Sequence, residues 1–140
     1  MYRILLVDDD QGVLECFAAI LRRQKHTIIA MQDGLSALNL IREGAVIDLI
    51  ITDYRMPGMD GLEFVHLLRT FLPDIPVIML TGYGSLETYC QAGSLGVSQY
   101  VMKPIQVKVL EQVVSDALAD RNHLSATAGS KGVPLMERTA

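Results

Sequence analysis

The chain has 140 residues, half of them apolar and a fifth charged, which is the balance of a soluble globular protein with one hydrophobic core. Its formal net charge of −4 is mild and argues against direct nucleic-acid binding by this domain. No stretch approaches the roughly 20 apolar residues that a membrane helix needs, and the apolar run at residues 1–7 is too short for a secretion signal. We therefore expect a cytoplasmic protein without membrane contact.

Five short apolar runs predict the strands of a sheet. Most are continuous aliphatic stretches, which is typical of parallel strands that are covered on both faces. They lie at Arg3–Val7, Thr27–Met31, Leu49–Asp53, Val77–Thr81 and Gln99–Met102. The spacing leaves room for one helix between successive strands, so the class is α/β with right-handed crossovers.

The helices are placed by apolar residues that recur at helical spacing. The predicted stripes are Val13, Phe17, Ile20 and Leu21 after an N-cap at Asp10; Leu35 to Arg42; Phe64, Leu67, Leu68 and Phe71 after Asp60; and Leu110, Val113, Val114, Ala117 and Leu118 after Pro104. The fourth helix, Ser85 to Gly93, contains poor helix formers, and we expect it to be marginal and mobile. Residues 122–140 lack periodicity and predict a flexible tail or interdomain linker after a domain at 1–121.

Polar side chains stand at the carboxyl ends of the predicted strands, where open parallel sheets gather their functional groups. Asp8 and Asp9 follow the first strand, Asp53 and Thr81 end the third and fourth, and Lys103 follows the fifth. Three carboxylates in a small volume need compensating charge. Lys103 supplies part of it, and an oxygen-only ligand set indicates Mg²⁺ or Mn²⁺ rather than zinc.

Single residues in these loops also have ordinary interpretations. A lone aspartate after a strand is usually a turn former or a helix cap, as we predict for Asp10. The two cysteines, Cys16 and Cys90, are far apart in sequence and are best interpreted as reduced thiols packed as small hydrophobes. The ordinary interpretation weakens when all the polar groups occur in order at one edge of one sheet.

Four segments together resemble the motifs of response-regulator receiver domains. They are LLVDDD at Leu5–Asp10, DYRMPGMDG at Asp53–Gly61, LTGYG at Leu80–Gly84 and YVMKP at Tyr100–Pro104. The resemblance covers about residues 2 to 120. It implies a flavodoxin-like (βα)5 fold, in which a doubly wound five-stranded parallel sheet has the order 2-1-3-4-5.

The resemblance also implies roles for the clustered residues. Asp53 would accept a phosphoryl group from a histidine kinase or phosphotransfer protein. Asp9 and Asp53 would ligate Mg²⁺ directly, Asp8 would act through a coordinated water, and the backbone carbonyl of Arg55 would be the third protein ligand. A second group, Thr81 and Lys103, would then hold the phosphoryl oxygens, which fits the needs of phosphoryl transfer.

The resemblance implies that signal output follows from Thr81. Once the phosphoryl group draws the Thr81 hydroxyl inward, space would open behind it, and Tyr100 would be the switch aromatic that turns into that space. The readout would be the surface of helix four, strand five and helix five, which faces a downstream effector domain or protein. The resemblance leaves open whether a homodimer forms through the same surface. The ordinary interpretation of Tyr100 is a packed strand residue with its hydroxyl at the surface.

The remaining motif residues would shape or tune the site. Arg55 and Tyr83 would flank the phosphoryl group, Pro57 and Gly61 would shape the loop after the acceptor, and a cis bond before Pro104 would fix the Lys103 loop. The chain departs from the family pattern in Ser98-Gln99 and in a fourth helix without its usual alanines. Both departures lie on the output side.

Two other functions compete with the switch. A metal-dependent phosphatase of the haloacid-dehalogenase-like kind also uses an aspartate nucleophile, but it needs a second acid two residues later, where this chain has Arg55. A flavodoxin-like FMN binder needs a phosphate loop after the first strand, where this chain has three aspartates. We therefore predict a phospho-accepting switch that catalyses only its own phosphorylation and dephosphorylation.

Overall fold

The structure is a computed structural model that describes residues 1–82, 84–126 and 136–138. Strands and helices alternate through the described chain. The elements are β1 (Arg3–Val7), α1 (Gln11–Arg23), β2 (Thr27–Met31), α2 (Gly34–Arg42), β3 (Leu49–Asp53), α3 (Gly61–Leu68), β4 (Val77–Thr81), α4 (Leu86–Ser94), β5 (Gln99–Met102), α5 (Val107–Ala126) and β6 (Met136–Arg138). All five predicted strands therefore have the predicted bounds.

The sheet confirms the predicted topology. The first five strands are parallel and lie in the order β2-β1-β3-β4-β5. The strand order reverses between β1 and β3, and the crevice at such a reversal is the usual place for a site in this architecture. The sheet differs from the prediction at its edge, where β6 pairs parallel to β5 with Met136 opposite Gln99.

Two hydrophobic cores cover the two faces of the sheet. One packs the sheet against α2, α3 and α4 and includes Phe64 and Tyr100. The other packs it against α1 and α5 and includes the complete predicted stripe of α5, with Leu110 and Val113 fully buried. Both faces of the central strands are buried, which explains why their sequences are continuously aliphatic.

The predicted faces of α1 and α3 need correction. In α1 the buried residues are Leu14, Ala18 and Leu21, while Phe17 and Ile20 lie at the margin of the core. A small residue at the centre of the face lets the helix approach the sheet closely, and this feature is invisible when only large apolar residues are counted. The predicted face of α1 is therefore offset by about one residue from the face that is buried.

The third helix is shorter than its apolar pattern predicts. It ends at Leu68, and Leu67 and Phe71 are 42% and 47% exposed. The buried face consists of Gly61, Phe64, Val65 and Leu68. Beyond Leu68 the backbone turns, with the Phe71 N–H donating to the Leu68 carbonyl. The pattern continued past the end of the helix because Phe71 is a surface residue at helical spacing.

The predicted domain boundary at residue 121 falls inside α5, which continues to Ala126. The sequence changes composition at Asn122, but Leu124 and Ala126 still permit a helix. Residues 127–135 and 139–140, to which the tail prediction also applies, lie outside the described residues. Cys16 and Cys90 are free thiols but are exposed rather than packed. Within the described ranges, no helix is long and apolar enough to cross a membrane.

Candidate phosphoryl-acceptor site

Three carboxylates meet at the reversal of strand order. Asp8 and Asp9 follow β1 directly, and Asp53 is the last residue of β3. Because β1 and β3 are hydrogen-bonded neighbours, with Val7 opposite Thr52, the carboxylates emerge side by side. One oxygen from each of the three lies within 4.8 Å of the others. The arrangement is the acidic cluster that the sequence predicts.

Lys103 supplies a positive charge to this cluster. Its Nζ lies 2.9 Å from Asp8 Oδ2 and 3.4 Å from Asp53 Oδ1. The loop that carries Lys103 is held to β4 because the Lys103 N–H donates to the Thr81 carbonyl over 2.7 Å. The peptide bond before Pro104 is cis, which confirms the prediction from the motif. Lys103 thus bridges two of the three aspartates.

Burial and neighbouring charges together shift the pKa values of Asp53 and Lys103. Asp53 is 8% exposed, and burial raises the pKa of its carboxyl; Lys103 opposes this effect and Asp8 adds to it, with a net rise. Burial acts to lower the pKa of Lys103, but its hydrogen bond to Asp8 and the charges of Asp53 and Asp8 outweigh burial, so that pKa is raised. Lys103 therefore remains an ammonium group at neutral pH.

The raised pKa of Asp53 gives a stability prediction. The folded protein holds the Asp53 proton more tightly than the unfolded chain, so its free energy of unfolding falls as pH rises through the interval between the two pKa values. Asp53→Asn removes this loss. With divalent cations chelated, we expect the variant to be the more stable protein at neutral pH and the advantage to shrink in acid. Urea unfolding of both proteins from about pH 4 to pH 8 measures the gap; a gap that is independent of pH would contradict the prediction.

The loop after Asp53 is built around a close backbone approach. The Gly61 N–H donates to the Tyr54 carbonyl over 2.7 Å. A Cβ atom at Gly61 would collide with the Asp53 carbonyl oxygen and would lie 2.9 Å from Tyr54 Cα. Gly58 has a φ of +79°, which favours glycine in the turn. The N-terminal end of α3 therefore lies in close backbone contact with the end of β3, which carries Asp53.

An open cleft of about 450 Å³ lies beside the carboxylates. Its walls are Asp9, Tyr54, Arg55, Met56, Pro57 and Asp60. Arg55 and Pro57 are thus placed next to the cluster, as the motif indicates, while Tyr83 lies outside the described residues. The predicted ligation by the Arg55 carbonyl and the tuning roles of Arg55 and Tyr83 stay predictions.

The two predicted signalling residues are buried. Thr81 is fully buried and Tyr100 is 1% exposed. The Tyr100 hydroxyl is not at the surface, because it lies 2.8 Å from Thr88 Oγ1. Thr88 is a candidate that the sequence pattern does not reveal. The Ser85-x-x-Thr88 spacing signals only a helix cap, and the contact with Tyr100 joins two elements whose packing no local pattern reveals.

The chain matches a known protein family over most of its length. The sequence model described as "Response regulator receiver domain" matches residues 4–115, which is most of the chain. The chain belongs to the response-regulator receiver family. Receiver domains are parts of two-component signalling systems and are generally not enzymes in the classical sense. The family match does not favour the phosphatase alternative.

Curated relatives of this receiver domain are longer proteins. It is 39% identical over 116 residues to the transcriptional regulatory protein ZraR of Klebsiella oxytoca, which covers 83% of the chain and 26% of the relative. It is 33% identical over 113 residues to the response regulator protein FleR of Pseudomonas aeruginosa, which covers 81% of the chain and 24% of the relative. The chain thus spans about a quarter of the length of these relatives.

Solved structures agree with this fold over most of the chain. A CheY-like response regulator receiver domain protein from Methanospirillum hungatei superposes with a TM-score of 0.84 at 28% identity and covers 88% of this chain and 98% of its own. A receiver domain protein from Clostridium thermocellum gives 0.82 at 26% identity, with 89% and 99% covered. The similarity includes the five-stranded parallel sheet in the order predicted from the motifs.

Proposed function

We propose that this receiver domain accepts a phosphoryl group on Asp53 from a phosphohistidine and thereby switches its output surface. The observation that carries the proposal is the cluster itself: three carboxylates within 4.8 Å, with the Lys103 ammonium 2.9 Å and 3.4 Å from two of them. An ordinary solvated surface does not concentrate this charge at the end of a buried sheet. Phosphoryl transfer requires positive charge beside the phosphoryl oxygens, which Lys103 and a cation held by the carboxylates would supply.

In the transfer, an Asp53 carboxylate oxygen attacks the phosphorus of the donor phosphohistidine. The new oxygen–phosphorus bond forms as the nitrogen–phosphorus bond breaks, and the imidazole leaves with its electron pair and takes up a proton. The product is an acyl phosphate on Asp53. For this role Asp53 must be ionised and accessible at its outer oxygen. Lys103 favours the ionised form, which burial alone would disfavour.

The carboxylates fit a hard divalent cation. Asp9 and Asp53 would hold Mg²⁺, or Mn²⁺ in its place, with Asp8 acting through water and the Arg55 carbonyl as a further ligand. Asp9 is exposed and the adjoining cleft is open, so waters can complete the coordination that Mg²⁺ prefers. When bound, the cation would act as a Lewis acid that neutralises charge on the phosphoryl oxygens.

Lys103 and Thr81 would receive the transferred group. The Lys103 Nζ already lies 3.4 Å from Asp53 Oδ1 and can turn its donors to a phosphoryl oxygen. The Thr81 hydroxyl would provide the second contact. The Lys103 N–H donates to the Thr81 carbonyl. A displacement of either side chain toward the phosphoryl group would therefore shift the backbone at the ends of β4 and β5. Tyr100 in β5 would then report the change, as a two-state element biased by local charge.

The partners follow from the same proposal. A histidine kinase or phosphotransfer protein would supply the phosphoryl group. A downstream effector, or a second copy of this chain, would contact the surface of α4, β5 and α5, where β6 pairs with the edge of β5 in the structure. Several relatives are named as transcriptional regulatory proteins, and they are much longer than this chain. In such a context the segment after α5 would lead to the effector domain, and the domain would act in the cytoplasm.

Beryllofluoride, which mimics a phosphoryl group on aspartate, tests this function. With Mg²⁺ present we expect calorimetric titration to show saturable binding to the wild type and none to Asp53→Asn. Asp9→Asn should raise the Mg²⁺ concentration that beryllofluoride binding requires by at least about tenfold, because a carboxylate ligand is lost. Asp10→Asn is the matched control, since Asp10 caps α1 and an asparagine can replace it there. Equal binding by Asp53→Asn would refute the assignment of the acceptor.

A further inference from the structure

The ring of Tyr100 is held by two residues of α4. Its hydroxyl lies 2.8 Å from Thr88 Oγ1, and its ring centroid is 5.5 Å from that of Tyr89. Tyr100 is 1% exposed and Thr88 is 9% exposed, so the hydrogen bond is shielded from water. A buried phenol that loses its partner is costly, and this contact therefore favours the inward position of the ring.

The hydrogen bonds of the Thr88 hydroxyl form one consistent set. A hydroxyl has one proton to donate and two lone pairs to accept with. Thr88 Oγ1 lies 3.1 Å from the Ser85 carbonyl, to which it donates, and 3.1 Å from the Ser85 N–H, from which it accepts. Thr88 Oγ1 also lies 3.1 Å from Ser85 Oγ and 2.8 Å from the Tyr100 hydroxyl, and in both contacts either oxygen can be the donor. The Tyr100 hydroxyl therefore belongs to the same hydrogen-bonded cluster as the Ser85 and Thr88 hydroxyls.

The same hydroxyl belongs to the cap of α4. Ser85 is the N-cap, and its Oγ accepts from the Thr88 N–H over 3.2 Å, while Thr88 Oγ1 accepts from the Ser85 N–H. In this part of α4, Leu86 is 79% exposed, and the buried residues of the helix are Thr88 and Ala92. The contacts of Thr88 and Tyr89 with Tyr100 therefore join the first turn of α4 to the sheet.

We propose that Thr88 is a positioning residue for the switch, whose hydroxyl both stabilises the inward ring of Tyr100 and couples that ring to the N-terminal cap of α4. The inference rests on the proposed function in treating Tyr100 as the switch. When the ring turns outward, the first turn of α4 loses its buried hydrogen bond to β5. When the ring turns inward, its hydroxyl contacts Thr88 and stabilises the N-terminal cap of α4. The state of Asp53 would reach α4 by this route.

Tyrosine-specific ring labelling and NMR measure the positions of the Tyr100 ring directly, with Tyr100→Phe assigning its signals. Thr88→Val keeps the shape of the side chain and removes the hydroxyl. We expect it to lower the ratio of inward to outward ring by about two- to tenfold, the range for one buried neutral hydrogen bond. Thr88→Ser keeps the hydroxyl and should retain the wild-type ratio. An unchanged ratio in Thr88→Val, or equal losses in both variants, would overturn the proposal.

A second measurement keeps the test decisive if Thr88→Val fails to fold. Tyr100→Phe preserves the ring and removes only the phenol hydroxyl, so the amides of Thr88 and Tyr89, which bond to Ser85, should exchange with solvent faster. Unchanged exchange there would also overturn the proposal. Neither measurement requires beryllofluoride. A wild type that fails to bind it would refute the proposed function, whereas normal binding with an unaffected ring would refute only the role of Thr88.

Discussion

Gly61→Ala is expected to destabilise the fold by about 3 kcal/mol or more and to abolish most beryllofluoride binding. The added Cβ would collide with the backbone carbonyl of Asp53 and would lie 2.9 Å from Tyr54 Cα. Because both obstacles are backbone atoms of a buried strand end, they cannot move unless Asp53 moves with them. Denaturant unfolding gives the loss of stability, and calorimetry gives the loss of binding.

Gly12→Ala provides the matched control for that substitution. Gly12 also lies in the first turn of a helix, but its added Cβ would meet only Asp10 Oδ1, at 3.2 Å. Replacing a helical glycine by alanine stabilises a helix by up to about 1 kcal/mol, so the control should be neutral or more stable. Equal behaviour of the two variants would show that the approach of α3 to the acceptor strand is not tight.

Lys103→Met is expected to change two affinities in opposite directions. Without the ammonium the three carboxylates attract Mg²⁺ more strongly, so its affinity should rise several-fold. Beryllofluoride affinity should fall by about ten- to hundredfold, because a charged hydrogen bond to the bound group is lost. Calorimetric titration with Mg²⁺ alone measures the first effect. Titration with beryllofluoride at saturating Mg²⁺ measures the second.

Lys103→Arg distinguishes the charge of Lys103 from its shape. It retains the positive charge near Asp8 and Asp53, so Mg²⁺ affinity should stay near the wild-type value, while the wider guanidinium should still impair beryllofluoride binding. A Lys103→Met variant in which both affinities are unchanged would remove Lys103 from the site.

The sequence predicted the sheet and its acidic edge because both depend on local features. Strands covered on both faces need continuous aliphatic runs, and the residue after each run must lie at the same edge of the sheet. Asp8, Asp9, Asp53 and Lys103 could therefore be brought together without knowing any side-chain conformation. The four motifs then supplied the strand order, which the runs alone leave open.

Other features depend on packing that a single sequence does not encode locally. The buried face of α1 is centred on the small residue Ala18, which a search for large apolar residues overlooks. The apolar pattern of α3 continues to Phe71, although the helix ends at Leu68 and Phe71 is exposed. The contact of Thr88 with Tyr100 requires the position of α4 over β5. The pairing of β6 with β5 joins segments separated in the chain by the whole of α5.

The central claim is that Asp53 becomes an acyl phosphate with the help of the acidic cluster. Acetyl phosphate replaces the kinase as donor, and mass spectrometry of the intact protein and its peptides locates the modification. In Mg²⁺ we predict one added phosphoryl group on the peptide containing Asp53, removable by hydroxylamine, and none when the cation is chelated. Asp53→Asn should remain unmodified under the same conditions. A phosphoryl group on another residue of the wild type, or equal labelling of Asp53→Asn, would contradict the account.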